Sequence, residues 1–259
     1  MTDAVTKRLA RAHGWVIDLD GVIWLDDQVI PGAAAAVAAL QQRSAVVFVT
    51  NNSRLRVADQ EAKLASMGID AAGSVITSAQ AVVDLLAPSD RVLMAAGPGV
   101  AEALVGAGIE YVERSDAPVD AVVVGIHQGF DYAELTQITR AVHRGARLLA
   151  TNDDVSFPTP EGLVPGNGAL VAAAEAATGV AAEVAGKPHA PIAALVQRRL
   201  GDTGVVVGDR PDTDGRFAQT LGYDFALVLS GVTRATDLPV DPRPHTVADS
   251  LAALVATLA

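Results

Sequence analysis

The chain has 259 residues, no cysteine and a formal net charge of −11. Half of it is apolar and its mean hydropathy is +0.31, enough for a packed core and too much for a disordered chain. The missing cysteines exclude a disulfide framework, a zinc ribbon and a thiol nucleophile, and the acidic balance argues against nucleic-acid binding, which draws on Lys and Arg meeting phosphates.

The first stretch, MTDAVTKRLARAHG, carries basic residues with no apolar segment behind them and does not read as a signal peptide. Trp15-Val16-Ile17 is a short apolar run ending in Asp18-Leu19-Asp20-Gly21, as a buried strand does where it meets a turn. Trp24, within VIWLDDQVI, fits a short hairpin. The longest run free of Asp, Glu, Lys and Arg, 28–42, contains Pro31, Gln41 and Gln42 and falls short of the ~20 apolar residues of a spanning helix. With no leader and no span, a soluble cytoplasmic protein that avoids membranes is expected. Pro31 to Gln42 predicts an Ala-rich helix with Pro31 in its first turn. Ala45 to Val49 predicts a strand ending in Thr50-Asn51-Asn52-Ser53, and Arg54 to Met67 an amphipathic helix closed by Gly68.

Strands follow at Arg91–Met94, Asp120–Val124 and Arg147–Ala150, with helices at Gly99–Val105 and Tyr132–Arg144. Pro158, Pro160, Gly162, Pro165, Gly166 and Gly168 form the densest loop signal and read as a surface connection. Val184–Lys187, Gly204–Gly208 and Asp224–Leu229 continue the strands, and Thr246 to Leu258 closes the chain as a helix. Strand–helix alternation of this kind predicts parallel βαβ units and an α/β fold.

Four polar clusters fall where strands should end, the edge at which open α/β sheets bind ligands. In Asp18-Leu19-Asp20-Gly21, one carboxylate can attack as a nucleophile while the other transfers a proton; an Asp-x-Asp-Gly turn is also ordinary turn chemistry. Thr50-Asn51-Asn52-Ser53 offers a hydroxyl, amides and backbone N–H groups suited to an anion, or an N-cap through Asn52 or Ser53. Gly186-Lys187-Pro188-His189 places Lys187 at a strand end in a chain whose other lysines are only Lys7 and Lys63 and which otherwise uses arginine. A lysine is a compact point charge fit for a phosphoryl group; the bland reading is a solvated surface side chain. Gly208 to Asp214 brings Asp209 to the end of Val205-Val206-Val207, with Asp214 near the next helix start. Their hard oxygens suit Mg2+, although an acidic turn is the plainer reading.

In this order, the clusters resemble the four motifs of the haloacid dehalogenase superfamily. The wording WVIDLDGVIW, FVTNNS, VAGKPH and VVGDRPDTD is similar to its NagD-type, para-nitrophenylphosphatase-like branch, as is LLATNDDVSFPTPEGLVPGNGALVAAAEAATGV. Asp18 to Thr50 spans about one βαβ unit, whereas Thr50 to Lys187 is far longer, so a domain is inserted between them. The resemblance implies a Rossmann-like doubly wound parallel-sheet core with an inserted α/β cap of type C2. The core is placed at residues 1–79 plus 182–259 and the cap at 80–181.

The resemblance further implies a Mg2+-dependent phosphatase of small phosphomonoesters: polyol, sugar or nucleotide monophosphates, with a slight preference for glycerol phosphate. Asp18 would form an aspartyl-phosphate and Asp20 would serve as acid, then base. Thr50, Asn51, Asn52 and Lys187 would hold the phosphoryl group. Asp18, the backbone carbonyl of Asp20, Asp209 and Asp214 would surround the metal. Asp153, Asp154 and His189 are candidates for substrate contact, and a homodimer through the cap is compatible with the branch. Phe157 reads as core packing rather than a pocket wall. His13, His127, His143 and His245 lack metal-ligand spacing and read as surface or structural. Gly215, where the branch usually carries a bulkier residue, is expected to loosen the next helix. A phosphotransferase or mutase, a receiver-like signalling module and a catalytically silent binding protein are the competing readings; the long insertion counts against the receiver.

Overall fold

A computed structural model of the chain describes residues 3–25, 27–159 and 162–258. Two compact units emerge. The first comprises the segments up to Thr50, Ala58–Ile76 and from Lys187 onward; the second comprises Asn51–Val57 and Thr77–Gly186.

The chain opens with α1 (Asp3–Ala10), β1 (Gly14–Ile17), β2 (Trp24–Leu25), β3 (Gln28–Val29), α2 (Ala33–Gln41), β4 (Ala45–Thr50), α3 (Val57–Ser66) and β5 (Val75–Thr77). It continues through α4 (Ser78–Val83), β6 (Arg91–Ala95), α5 (Pro98–Gly106), β7 (Glu110–Val112), β8 (Ala121–Val124), α6 (Tyr132–His143), β9 (Arg147–Ala150), β10 (Ser156–Thr159), β11 (Gly162–Pro165), α7 (Asn167–Thr178) and β12 (Glu183–Val184). It closes with α8 (Ala190–Leu200), β13 (Val205–Gly208), a π-helical turn (Pro211–Gly215), α9 (Arg216–Leu221), β14 (Asp224–Val228), a 3-10 turn (Ala235–Asp237), β15 (Thr246–Ala248) and α10 (Leu251–Ala256).

The first unit is built on a six-stranded sheet in the order β15-β14-β13-β1-β4-β5. β1 runs parallel to both neighbours, with Ile17 opposite Val207 on β13 and Phe48 on β4. Every residue of β1 and β13 is buried, which is why both read as unbroken apolar runs rather than alternating ones. Trp15, Ile17, Phe48, Val207 and Phe217 are fully enclosed, and large side chains of this kind each contribute about 1.5–3 kcal/mol through transfer from water. The register brings Thr50, Asp18 and Asp209 to the carboxyl ends of three adjacent strands.

The second unit has its own five-stranded sheet, ordered β12-β9-β8-β6-β7 and parallel at every pairing. Leu93, Val122, Val124, Ile138, Leu148 and Val171 lie at the centre of its core. β10 and β11 form a separate antiparallel hairpin. Among the described residues, no helix is long and apolar enough to cross a membrane.

Several local expectations are corrected. Pro31 stands outside α2, because Gly32, at φ +81°, turns the chain in the left-handed region and the helix starts at Ala33. The stretch from 184 to 187 is not a strand ending in Lys187. β12 is two residues long, pairs with β9 in the second sheet, and gives way to a turn that holds Lys187. Residues 182–186 group with the second unit, as do residues 51–57 and 77–79. Thr246 to Leu258 is a strand and then a helix: β15 pairs with β14, and the Ser250 hydroxyl caps α10 by accepting from the Ala253 N–H. The expected loop around residues 158–168 is mostly the β10–β11 hairpin, where a proline is tolerated because a two-stranded ribbon is all edge; Pro160 lies outside the described residues. Phe157, on this hairpin, is 43% exposed and is not core. Gly215 is helical and buried, and a Cβ there would press on Pro242 and Phe225, so close packing rather than loosening explains it.

Candidate active site

Asp18 leaves β1 with its N–H still donating to the Val207 carbonyl at 3.0 Å, so the sheet fixes its backbone. Its side chain is largely buried. The Lys187 ammonium, itself buried, donates to Asp18 Oδ1 and to Asp214 Oδ1, both at 2.7 Å. Asp214 sits in the π-helical turn, where its Oδ2 accepts from the Arg210 N–H at 3.1 Å. Its carboxylate occupies the space that a side chain at Gly208 would fill. Asp209 Oδ2 accepts from the Val232 N–H at 2.6 Å, and the Asp209 carbonyl accepts from the Thr233 hydroxyl. Gly21, at φ +78°, and Gly231 close around the Asp209 carboxylate so tightly that a Cβ at either would run into it.

Carboxylate oxygens of Asp18, Asp209 and Asp214 all lie within 4.8 Å of one another. Three buried carboxylates lie close to one ammonium, and the protonation of Asp18, Asp209 and Lys187 reflects the imbalance. Burial pushes the Asp18 carboxyl well above the ordinary carboxylate range; Lys187 opposes this, while Asp214 and Asp209 add to it. Burial, reinforced by Asp214, raises Asp209 to about 7. Burial alone would depress the Lys187 ammonium, but Asp18 and Asp214 outweigh it and hold it above the usual lysine value. An oxygen-only donor set with surplus negative charge fits a hard divalent cation such as Mg2+.

The remaining candidates fall into two groups. Thr50 is the buried last residue of β4, and Asp20 is exposed, with its Oδ1 accepting from the Trp24 indole N–H at 2.9 Å. Trp24 opens the β2–β3 hairpin, as its sequence context predicts. His189 is half-buried in the turn before α8, where its carbonyl accepts from the Ala193 N–H at 3.4 Å.

Asn51, Asn52, Asp153 and Asp154 belong to the second unit. Asn51 Nδ2 donates to Asp154 Oδ2 at 2.9 Å, and the Asn51 carbonyl accepts from Ser78 Oγ and Asn152 Nδ2, both at 2.8 Å. Asn52 Oδ1 accepts from the Arg54 N–H, and Ser53 Oγ shares a hydrogen bond with Thr151 Oγ1 at 2.9 Å. Neither caps α3, which begins only at Val57 with its N–H on Glu102. Asp153 is exposed. Asn152 and Asn167 complete this network and escape sequence reasoning: Asn167 Nδ2 donates to the Asn152 carbonyl at 2.7 Å, yet an amide in VPGNGAL carries no periodic signal. Gly231 is equally silent, and Gly21 and Gly208, which the sequence shows only as members of their polar clusters, reveal their close approach to a carboxylate only in three dimensions.

Comparison with known proteins places the chain in a family. A family model described as haloacid dehalogenase-like hydrolase covers residues 15–110, and a second HAD-hydrolase-like model covers residues 184–254. The D-glycerol 3-phosphate phosphatase of Mycobacterium tuberculosis is 38% identical over 239 residues, 89% of this chain and 67% of that one. The acid sugar phosphatase of Staphylococcus epidermidis is 35% identical over 242 residues, 90% of this chain and 93% of that one. The chain belongs to the haloacid dehalogenase-like hydrolases. Within this family it falls in the para-nitrophenylphosphatase-like branch. The p-nitrophenyl phosphatase of Archaeoglobus fulgidus superposes with a TM-score of 0.89 at 30% identity, covering 95% of this chain and 99% of that one. The mycobacterial glycerol phosphate phosphatase, solved in complex with magnesium, superposes with a TM-score of 0.86 at 36% identity, covering 95% of this chain and 77% of that one.

Proposed function

We propose that this haloacid dehalogenase-like hydrolase is a Mg2+-dependent phosphatase that cleaves small phosphomonoesters through Asp18. The observation that carries the reading is the buried cluster of Asp18, Asp209 and Asp214 around Lys187, which has more negative charge than its own lysine balances. Its relatives act on glycerol phosphate and on sugar phosphates, and small polyol or sugar phosphates are the substrates proposed here.

Asp18, Asp209, Asp214 and the backbone carbonyl of Asp20 would hold the Mg2+ ion. Bound there, it supplies the positive charge that keeps Asp18 ionised and draws in the phosphoryl oxygens. Lys187 adds a second positive charge, aimed by its bonds to Asp18 and Asp214. Thr50, at the neighbouring strand end, offers a hydroxyl to the same phosphoryl group; Asn51 and Asn52, next in sequence, are proposed as further phosphate contacts.

An Asp18 carboxylate oxygen attacks phosphorus while the bond from phosphorus to the ester oxygen breaks. The exposed Asp20 carboxyl gives its proton to the departing alkoxide, releasing the alcohol. Water then attacks the aspartyl-phosphate, Asp20 takes the proton from that water, and the bond from phosphorus to Asp18 breaks to give inorganic phosphate. Splitting the displacement in two replaces one hard step with two easier ones, and the groups involved act by position and charge.

The test is turnover of para-nitrophenyl phosphate, glycerol phosphate and sugar phosphates with Mg2+ and with EDTA. Metal-dependent release of phosphate supports the reading. Ligand binding without turnover in saturating Mg2+ contradicts it.

A further inference from the structure

Asp20 is exposed, yet its carboxylate is not loose. The buried Trp24 donates its indole N–H to Asp20 Oδ1 at 2.9 Å. Trp24 is itself rigidly placed. Its carbonyl accepts from the Gly21 N–H at 2.7 Å, its N–H donates to Leu19 at 3.3 Å, and its backbone pairs with Val29 across the β2–β3 hairpin. The indole is thus tied to the turn that carries Asp20.

A second contact acts on the same ring. The Lys63 ammonium of α3 lies 4.4 Å from the centroid of Trp24 and is held at 3.1 Å by Asp27. A cation over an indole face is attracted to the ring electrons and draws them toward itself, which makes the N–H a better donor. Lys63 is one of three lysines in a chain that otherwise uses arginine, and Lys187 is another.

We infer that Trp24 is a positioning residue for Asp20, and that Lys63 strengthens its hold. The inference rests on Asp20 being the proton donor. An N–H bond accepted at Oδ1 leaves Oδ2 to carry the proton and keeps the side chain in one of its staggered wells. Asp20 then meets the ester oxygen in one orientation instead of sampling several. That order matters most when the leaving group needs its proton in the transition state.

The experiment measures kcat/KM for aryl and alkyl phosphates of graded leaving-group basicity with the Mg2+-loaded enzyme. Trp24→Phe keeps a ring beneath Lys63 but removes the donor. It is expected to lower kcat/KM for alkyl phosphates about tenfold, and for para-nitrophenyl phosphate less than about twofold. Lys63→Met is expected to move the same slope in the same direction by about two- to threefold for alkyl phosphates. In an Asp20→Asn background, Trp24→Phe should steepen the slope no further. Equal losses on good and poor leaving groups, no loss on either, or further steepening in that background would overturn the positioning role. If Asp20→Asn itself left the slope unchanged, the acid assignment would fall instead, so the two failures are distinguishable.

Discussion

The two units handle buried polarity in opposite ways. In the first, three carboxylates converge on one lysine and are left with surplus charge. In the second, Asn51, Ser53, Thr151, Asn152 and Asn167 are linked mainly by amides, hydroxyls and backbone carbonyls, with the Asp154 carboxylate joined to them at Asn51. A network built mainly of neutral groups fixes backbone shape without building up charge. The charged cluster crowds carboxylates whose ionised forms a bound cation would stabilise.

Substitutions can break that contrast in graded steps. Asp18→Asn keeps the shape and removes the nucleophile; kcat should fall by about 10^4-fold or more, with the circular-dichroism spectrum unchanged. Asp209→Asn should weaken Mg2+ binding by roughly 10- to 100-fold, read by titration of activity against metal. The same variant should unfold at a higher temperature than wild type in EDTA, because it removes one of the crowded charges while its amide oxygen can still accept from Val232. A variant less stable than wild type in EDTA would mean that the cluster is not strained by its own charge. Asn167→Ala, in the second unit's network, should cost about 1 kcal/mol by denaturant unfolding and leave kcat/KM within about threefold. The cost is modest because Asn167 Oδ1 is buried without a partner among the described residues, so the substitution also relieves a penalty.

The smallest expected effect is a pH dependence. In the metal-free chain Asp209 titrates near about 7, above its unfolded value, and Asp18 is shifted in the same direction. The folded state therefore binds these protons more tightly than the unfolded state. The ionised forms weaken the fold, a penalty fully present above about pH 7 and relieved as pH falls toward the ordinary carboxylate range. Melting in EDTA should shift upward between about pH 8 and about pH 5, and saturating Mg2+ should flatten or reverse the trend. A steady loss of stability over that interval in EDTA would contradict the charge-crowding account.

Much of the fold was legible because parallel strands buried on both faces leave unbroken apolar runs. Trp15 to Ile17, Ala45 to Val49 and Val205 to Val207 each end in a polar cluster at the edge where such sheets bind ligands. The structure then bonds Lys187 to Asp18 and Asp214 and brings a carboxylate oxygen of Asp209 within 4.8 Å of theirs. What escaped was set by contacts that have no period. β12 is too short to show a pattern, and its partner β9 lies in a different sheet from the one its position suggested. The hydrogen bond from the Asn167 amide to the Asn152 carbonyl links residues that no spacing rule joins. The glycines around Asp209 and Asp214 mark places where a carboxylate fills the room of a missing side chain.

The most direct test is to quench the Mg2+-loaded enzyme in acid during turnover of a saturating phosphomonoester and map the chain by mass spectrometry. One phosphoryl group should appear on the peptide that carries Asp18, and none in Asp18→Asn. Phosphorylation of a different residue, or a wild-type chain that shows a pre-steady-state burst of alcohol with no phosphoryl group trapped on the Asp18 peptide, would contradict a nucleophilic Asp18.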